Sequence, residues 1–152
     1  MKNIYLNIYK PNSINLKKAK KNVESNNIIG LPTETVYGLA GNAYSDKSVK
    51  KIFDLKRRPA INPLIVHFKN LTNLKKDAIC NDSFIKLYKV LCPGPITFIL
   101  KKNTKSKISK IVTSGKQTIA VRIPKHKTAR KFLKMLNLDR KSTRLNSSHV
   151  LI

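Results

Sequence analysis

The sequence has few cysteines and no long apolar segment. Cys80 and Cys92 are the two cysteines among 152 residues, and their spacing is not that of a metal site, so we interpret both as reduced structural thiols of a cytoplasmic protein. No apolar run approaches the ~20 residues that a membrane span needs. No continuous apolar segment follows the first residues, which argues against a secretory signal. Length and a hydrophobic content of 41% suit one globular domain with no membrane partner.

Acidic residues are also scarce. The chain has 7 Asp and Glu against 32 Lys and Arg, which gives a net charge of +25. Such a chain should attract polyanions such as RNA, nucleotides or anionic lipid. The alternative is compositional, because Lys, Asn and Ile are all abundant, as in proteins coded by AT-rich DNA. Lysine clusters such as residues 17–21 would then be solvated helix faces, and each cation in a loop needs its own argument.

Two fingerprints of nucleotide binding are missing, namely GxxxxGK[ST] and GxGxxG, and we find no internal repeat. Any nucleotide must therefore be bound in another way. What the sequence does contain is a polar stretch at residues 31–39, directly after the apolar run 28–31. That run predicts a buried strand, which Pro32 should end because proline cannot donate a ladder hydrogen bond. The stretch then carries two hydroxyls, a carboxylate, a phenol and a glycine. It is either a polar strand-to-loop junction or a site where hydroxyls bind a carboxylate or phosphate.

Hydrophobic periodicity predicts strands that alternate with helices. The predicted strands are 4–8, 28–31, 63–68, 96–100 and 119–123. The predicted helices are 16–23, 46–56, 84–91 and 129–136, with Ser13 or Asn15 capping the first and Asn81 or Asp82 the third. Residues 101–110 are predicted to form a basic surface loop. The alternation favours an α/β domain.

A few polar residues interrupt this pattern where a ligand could bind. Arg122 breaks an apolar strand, and a buried arginine should be paired or hold an anion. Lys56 and Arg58 lie at or just past a helix C-terminus, where they are either dipole partners or a cationic pair for phosphate. His67 stands at the carboxyl end of a strand, where ligands of open α/β sheets tend to bind, but it could equally be a packed core residue.

Several short motifs follow one another in a fixed order, at residues 31–39, 56–59, 62–67, 92–97 and 120–124. In this order and at this spacing, residues 12–138 resemble the YrdC-like family, the threonylcarbamoyl-AMP synthases of tRNA modification. The resemblance implies a twisted mixed sheet with flanking helices and a deep electropositive cavity. It also implies a reaction in which L-threonine, bicarbonate and ATP give threonylcarbamoyl-AMP and pyrophosphate. The product serves N6-threonylcarbamoylation of adenosine 37 (t6A37) in tRNA.

The resemblance also assigns roles to residues. It implies that threonine is contacted by Thr35, His67 and Arg122. It implies that ATP is contacted by Lys56, Arg58, Asn62 and Thr118, although Thr118 could be an ordinary strand residue. Mg²⁺ is expected with ATP, and since Glu34 is the single acid of the polar stretch at residues 31–39, phosphate and water should hold most of it. No residue stands out as a nucleophile or general base, so positioning and charge neutralisation should carry the chemistry.

The pattern fails from about residue 139. In the family a strand and a Ser-x-Asn motif follow the helix near 126–137, and that motif is absent here. We interpret residues 1–139 as a YrdC-like domain that is incomplete at its C-terminus, and residues 140–152 as a non-native tail. Two alternatives stay open: a module that binds double-stranded RNA, and an inactive fragment of a synthase. A third is the related domain of hydrogenase-maturation carbamoyltransferases, but such a domain normally belongs to a much longer chain with zinc-finger-like cysteines, and the two cysteines here argue against it. Contacts with tRNA or with proteins of the t6A pathway are further expectations.

Overall fold

The structure is a computed structural model that describes residues 7–57, 59, 61–136 and 150–151. Its helices are α1 (Ser13–Glu24), α2 (Asp46–Lys56), α3 (Leu71–Leu74), α4 (Asp82–Leu91) and α5 (Lys127–Leu136). Its strands are β1 (Ile29–Pro32), β2 (Tyr37–Ala40), β3 (Ile65–His67), β4 (Phe98–Lys101), β5 (Thr118–Arg122) and β6 (Val150–Leu151). The predicted strand at 4–8 falls mostly outside the described residues, and Asn7 and Ile8 take no part in a strand.

Asparagine side chains cap α1 and α4. Asn12, which is still extended, accepts a hydrogen bond from the Asn15 N–H at 2.8 Å. The predicted caps of α1, Ser13 and Asn15, were therefore wrong, because Ser13 already lies inside the helix and Asn15 is the donor. For α4 the prediction is confirmed at Asn81, whose side chain accepts from the Phe84 N–H at 2.9 Å.

The main sheet is mixed, as predicted, with the order β4-β5-β3-β6. Strands β3 and β5 are parallel and place His67 beside Arg122, while β4 and β6 join them antiparallel. Along β5, Ile119 and Val121 are buried, whereas Thr118 is exposed and Arg122 half-buried. Because side chains alternate along a strand, Thr118 and Arg122 share the less buried face at opposite ends.

Strands β1 and β2 form a separate antiparallel hairpin, which pairs Leu31 with Gly38. The sequence predicted β1 and its end at Pro32, but it did not predict β2. The turn between the strands is built around Thr33, whose N–H donates to the Val36 carbonyl at 3.1 Å and whose hydroxyl donates to the same oxygen at 2.7 Å. The polar stretch at residues 31–39 is thus a hairpin and its turn.

The buried apolar side chains form two clusters. The larger lies between the main sheet, α2 and α4 and includes Ile52, Val66 and Val121. The smaller joins α1, α5 and β1 through side chains that include Leu16 and Phe132. The smaller cluster also packs the hairpin strands, through Leu31 and Ala40, against α5. The described part of the chain has no helix of the length and apolarity needed to cross a membrane.

A buried carboxylate fixes the segment after β4. Asp77 is 2% exposed, and its oxygens accept from the Tyr44 hydroxyl at 2.6 Å and the Ser106 hydroxyl at 2.7 Å. Ile108 and Ser109 are also buried. The prediction of a surface loop over residues 101–110 was therefore wrong at its end, because Asp77 and the core hold that part of the segment in place.

The two cysteines are free and half-buried. Burial raises the pKa of the Cys80 thiol and of the Cys92 thiol. A raised pKa lowers the fraction of the reactive thiolate, which agrees with the structural role predicted for both residues.

Candidate functional site

The carboxyl ends of the parallel strands β3 and β5 carry the polar group that the sequence singled out. His67 and Arg122 are register partners there. The hairpin turn brings Thr35 to the same place. Thr97, which lies directly before β4, also contacts Arg122 there. The structure therefore brings together the three residues predicted to contact threonine and adds Thr97, which had been assigned no role.

The Arg122 guanidinium is held by two threonine hydroxyls. Thr97 Oγ1 accepts from Nε at 3.0 Å and from Nη2 at 2.8 Å, and Thr35 Oγ1 accepts from Nη1 at 3.2 Å. Among the described residues no carboxylate lies within 4 Å of this guanidinium. The ion pair that does occur in the described part of the chain joins Lys20 and Glu24 on α1. The prediction that Arg122 needs a partner is met by neutral hydroxyls, which leave its positive charge uncompensated.

The hydroxyls form a directed chain of hydrogen bonds. The Thr33 hydroxyl donates its single proton to the Val36 carbonyl, so Thr35 is the donor in the 3.1 Å contact between the Thr33 and Thr35 hydroxyls. Thr35 can then accept from Arg122 with a remaining lone pair. Such chains polarise one another and resist rotation of any one member. Thr33 is one of the two hydroxyl residues of the polar stretch at residues 31–39, and the sequence alone assigned it no role.

His67 is buried beside this charge and is neutral. Its side chain is 1% exposed, and neither ring nitrogen has a hydrogen-bond partner among the described residues. Burial and the neighbouring Arg122 charge lower the pKa of His67 to about 3. A neutral imidazole adds a donor and an acceptor next to Arg122 without adding a second cation.

Glu34 ties the hairpin turn to α5. Its Oε2 accepts from the N–H groups of Lys125 and His126 at 3.1 and 3.2 Å, and its Oε1 is buried without a partner in the described part of the chain. Within that same part, no three His, Cys, Asp or Glu side chains group to hold a metal ion. Among the described residues, the donor set does not fit a Mg²⁺ ion held by protein side chains alone.

The residues predicted to contact ATP are more dispersed. Lys56 ends α2 and is exposed, as the dipole alternative also requires, and Asn62 is exposed in the following loop. Arg58 lies outside the described residues. Thr118 shares a sheet face with Arg122 but lies at the other end of β5, about 13 Å away at the usual rise per residue. No described contact joins Lys56, Asn62 or Thr118 to the Arg122 group.

Comparison with known proteins places the fold and the sequence in one family. The Sua5–YciO–YrdC family model, described as "Telomere recombination", matches residues 21–149. Threonylcarbamoyl-AMP synthase of Pyrococcus abyssi is 39% identical over 116 residues, which cover 74% of this chain and 33% of that protein. The Bacillus subtilis enzyme of the same name is 37% identical over 119 residues, which cover 78% and 34%. The chain thus spans about a third of the length of these curated relatives.

Solved structures agree. The crystal structure of P. abyssi Sua5 complexed with L-threonine has a TM-score of 0.80 and 32% identity, and the match covers 92% of this chain and 38% of that chain. Escherichia coli YciO has a TM-score of 0.77 at 20% identity, with 94% and 65% covered, and bears on the fold alone.

Proposed function

The chain belongs to the Sua5–YciO–YrdC family, and we propose that it is the threonylcarbamoyl-AMP-forming domain of a t6A37 synthase. In this reaction the amine of L-threonine bonds to the carbon of bicarbonate, with net loss of water, to give a carbamate. A carbamate oxygen then bonds to the α-phosphorus of ATP and pyrophosphate leaves. The products are threonylcarbamoyl-AMP, pyrophosphate and water. We place the activity in the cytoplasm, with tRNA-modifying proteins as consumers of the product.

One observation carries the proposal: Arg122 keeps an uncompensated charge in a fixed orientation. A guanidinium of this kind is suited to a carboxylate, which it can bind with two parallel hydrogen bonds. Thr35 and the neutral His67 stand beside it and offer hydroxyl and imidazole groups for the rest of a small polar amino acid. That the P. abyssi structure is complexed with L-threonine supports the same substrate class.

The nucleotide would extend away from this group along the less buried sheet face. Thr118 lies on that face, and the segment before β3 carries Lys56, Arg58 and Asn62, which were predicted to contact ATP, the two cations on phosphate. Three phosphates and a carboxylate together carry a large negative charge, so cations at separate points would hold them in line. No protein nucleophile is needed. The electropositive cavity and a magnesium ion bound through phosphate stay predictions.

The test is calorimetric titration of ATP into the protein with and without L-threonine and bicarbonate, followed by a pyrophosphate-release assay. Threonine-dependent tightening of ATP binding with pyrophosphate release is expected. Arg122→Ala and Arg58→Ala should each lower kcat/KM about tenfold or more, or about 1.4 kcal/mol. Lys131→Ala on the outer face of α5 is the matched control for loss of a cation. Full activity in both arginine variants would contradict the assignment, and ATP binding indifferent to threonine would favour an inactive fragment.

A second candidate function is RNA binding, and the packing of α1 against α5 favours a place for it. The two helices share the smaller core, and their outward lysines, Lys17 and Lys21 on α1 and Lys131 and Lys134 on α5, are exposed. No acid occurs in residues 125–136. Binding of a labelled double-stranded RNA should weaken steeply between 50 and 200 mM salt. Lys17→Glu with Lys131→Glu should weaken it further and leave threonine binding unchanged.

A further inference from the structure

We propose that Thr97 sets the affinity of the site for a carboxylate by fixing Arg122 without neutralising it. The inference rests on the proposed function, since it concerns how the same site holds its amino acid. Thr97 is a positioning residue here: it acts through the guanidinium. Its role follows from the N–H donors of Arg122 that it occupies, from the N–H donors that it leaves free, and from the negative charge that its hydroxyl lacks.

The hydrogen bonds leave a defined part of Arg122 free. A guanidinium has five N–H donors. The two threonine hydroxyls occupy Nε–H, one N–H of Nη1 and one N–H of Nη2. One N–H therefore remains on each terminal nitrogen. Two N–H groups on the two terminal nitrogens are what a carboxylate needs for paired hydrogen bonds.

The hydroxyl of Thr97 has its own free donor. Its Oγ1 uses both lone pairs to accept from Nε and Nη2. Its O–H proton has no acceptor among the described residues, so the hydroxyl can donate to an anion bound on the guanidinium. An aspartate at this position would satisfy the same N–H groups but would cancel the charge, because an ion pair at this distance competes directly with the ligand.

The backbone of Thr97 is held by the sheet. Thr97 is followed directly by Phe98, which pairs with Val121 in β5, the residue before Arg122. Shortly before it, the Gly94 N–H donates to the Ile123 carbonyl at 3.0 Å. The segment is therefore held on both sides of the hydroxyl, by β5 itself and by the residue that follows β5. A rigid support of this kind keeps the guanidinium in place when the ligand is absent, which lowers the entropic cost of binding.

The experiment compares Thr97→Ser, Thr97→Val and Thr97→Asp with the parent protein, and uses the exposed Thr72→Val as the control. Each is titrated with L-threonine, with L-threoninamide, which lacks the carboxylate charge, and with ATP alone. Circular dichroism checks the folding of each variant. Thr97→Val keeps the shape and removes the hydroxyl, and it carries the test with Thr97→Ser even if Thr97→Asp does not fold.

The parent protein should bind L-threonine more tightly than L-threoninamide. Thr97→Val should weaken L-threonine binding about tenfold, the usual worth of a hydrogen bond to a charged group, and Thr97→Asp should weaken it more. Threoninamide and ATP binding should change less than about threefold in either variant, and Thr97→Ser should stay within about threefold of the parent. A purely structural role would weaken all three ligands together.

The possible failures are distinguishable. If the parent protein does not prefer L-threonine to L-threoninamide, the proposed function fails and this inference with it. If the parent shows the preference and Thr97→Val and Thr97→Asp keep it in full, the proposed function stands and the role of Thr97 is refuted. Equal weakening of threonine, threoninamide and ATP would also refute it.

Discussion

The buried His67 predicts how stability changes with pH. Its pKa is about 3 in the native chain, against 6.5 for an ordinary histidine. Between these values the unfolded chain binds a proton that the native chain does not, so stability falls as pH falls from about 6.5 towards 3. From pH 7 to pH 5 this difference amounts to about 2 kcal/mol. The cause is burial beside Arg122, and neutral His67 is the form that folding requires.

The assay is urea unfolding followed by far-ultraviolet circular dichroism, because the chain has no tryptophan for fluorescence. The parent protein and His67→Leu are measured at pH 5, 6 and 7. His67→Leu should lose about 2 kcal/mol less than the parent between pH 7 and pH 5. Only the slopes are compared, so the absolute effect of leucine on stability does not matter. Equal pH dependence in the two proteins would refute the assignment of a buried, neutral His67.

Four substitutions test the packing and the hydrogen bonds of the fold. Gly41→Ala places a Cβ against the Ser48 hydroxyl and should cost about 1–3 kcal/mol in urea unfolding. Gly30→Ala, whose Cβ would meet no described atom within 4 Å, should change stability by less than about 0.5 kcal/mol; equal effects would contradict the packing. Asp77→Asn should cost about 2 kcal/mol or more, because two hydroxyl donors lose a buried carboxylate, and an unchanged urea midpoint would show that the network is not stabilising. Glu34→Ala should lower stability by about 1 kcal/mol and weaken L-threonine binding in calorimetry, because the hairpin turn loses its link to α5; intact threonine affinity would separate the turn from the site.

Local patterns predicted the helices well. In α2, Val49, Ile52 and Phe53 recur at helical spacing, and all three are buried. Such a pattern can be identified without the rest of the chain, because one apolar face needs only some partner to cover it. The cap of α1 was harder to predict, since several neighbouring polar residues could accept the same N–H and the backbone angles at Asn12 decide between them.

The site itself could be predicted only in part. A charged residue inside an apolar strand pointed to Arg122, and a strand end pointed to His67. The hydrogen bonds that hold Arg122 could not be predicted, because they join it to hydroxyls 25 and 87 residues away in sequence. Threonine is common and has no periodicity of its own, so nothing local distinguishes Thr97. The signal that existed was its place at the end of the motif at 92–97.

The distance along the chain between Thr35 and Arg122 has a consequence for synthesis. Thr35 is synthesised 87 residues before Arg122, which supplies its guanidinium partner. At roughly 5–20 residues per second this delay is roughly 4–17 s. During that time the Thr35 hydroxyl lacks its guanidinium partner, so under the proposed function the amino-acid site is not yet formed. Under the proposed function, the ligand can therefore stabilise only chains in which β5 has already paired with β3, which is a non-local step.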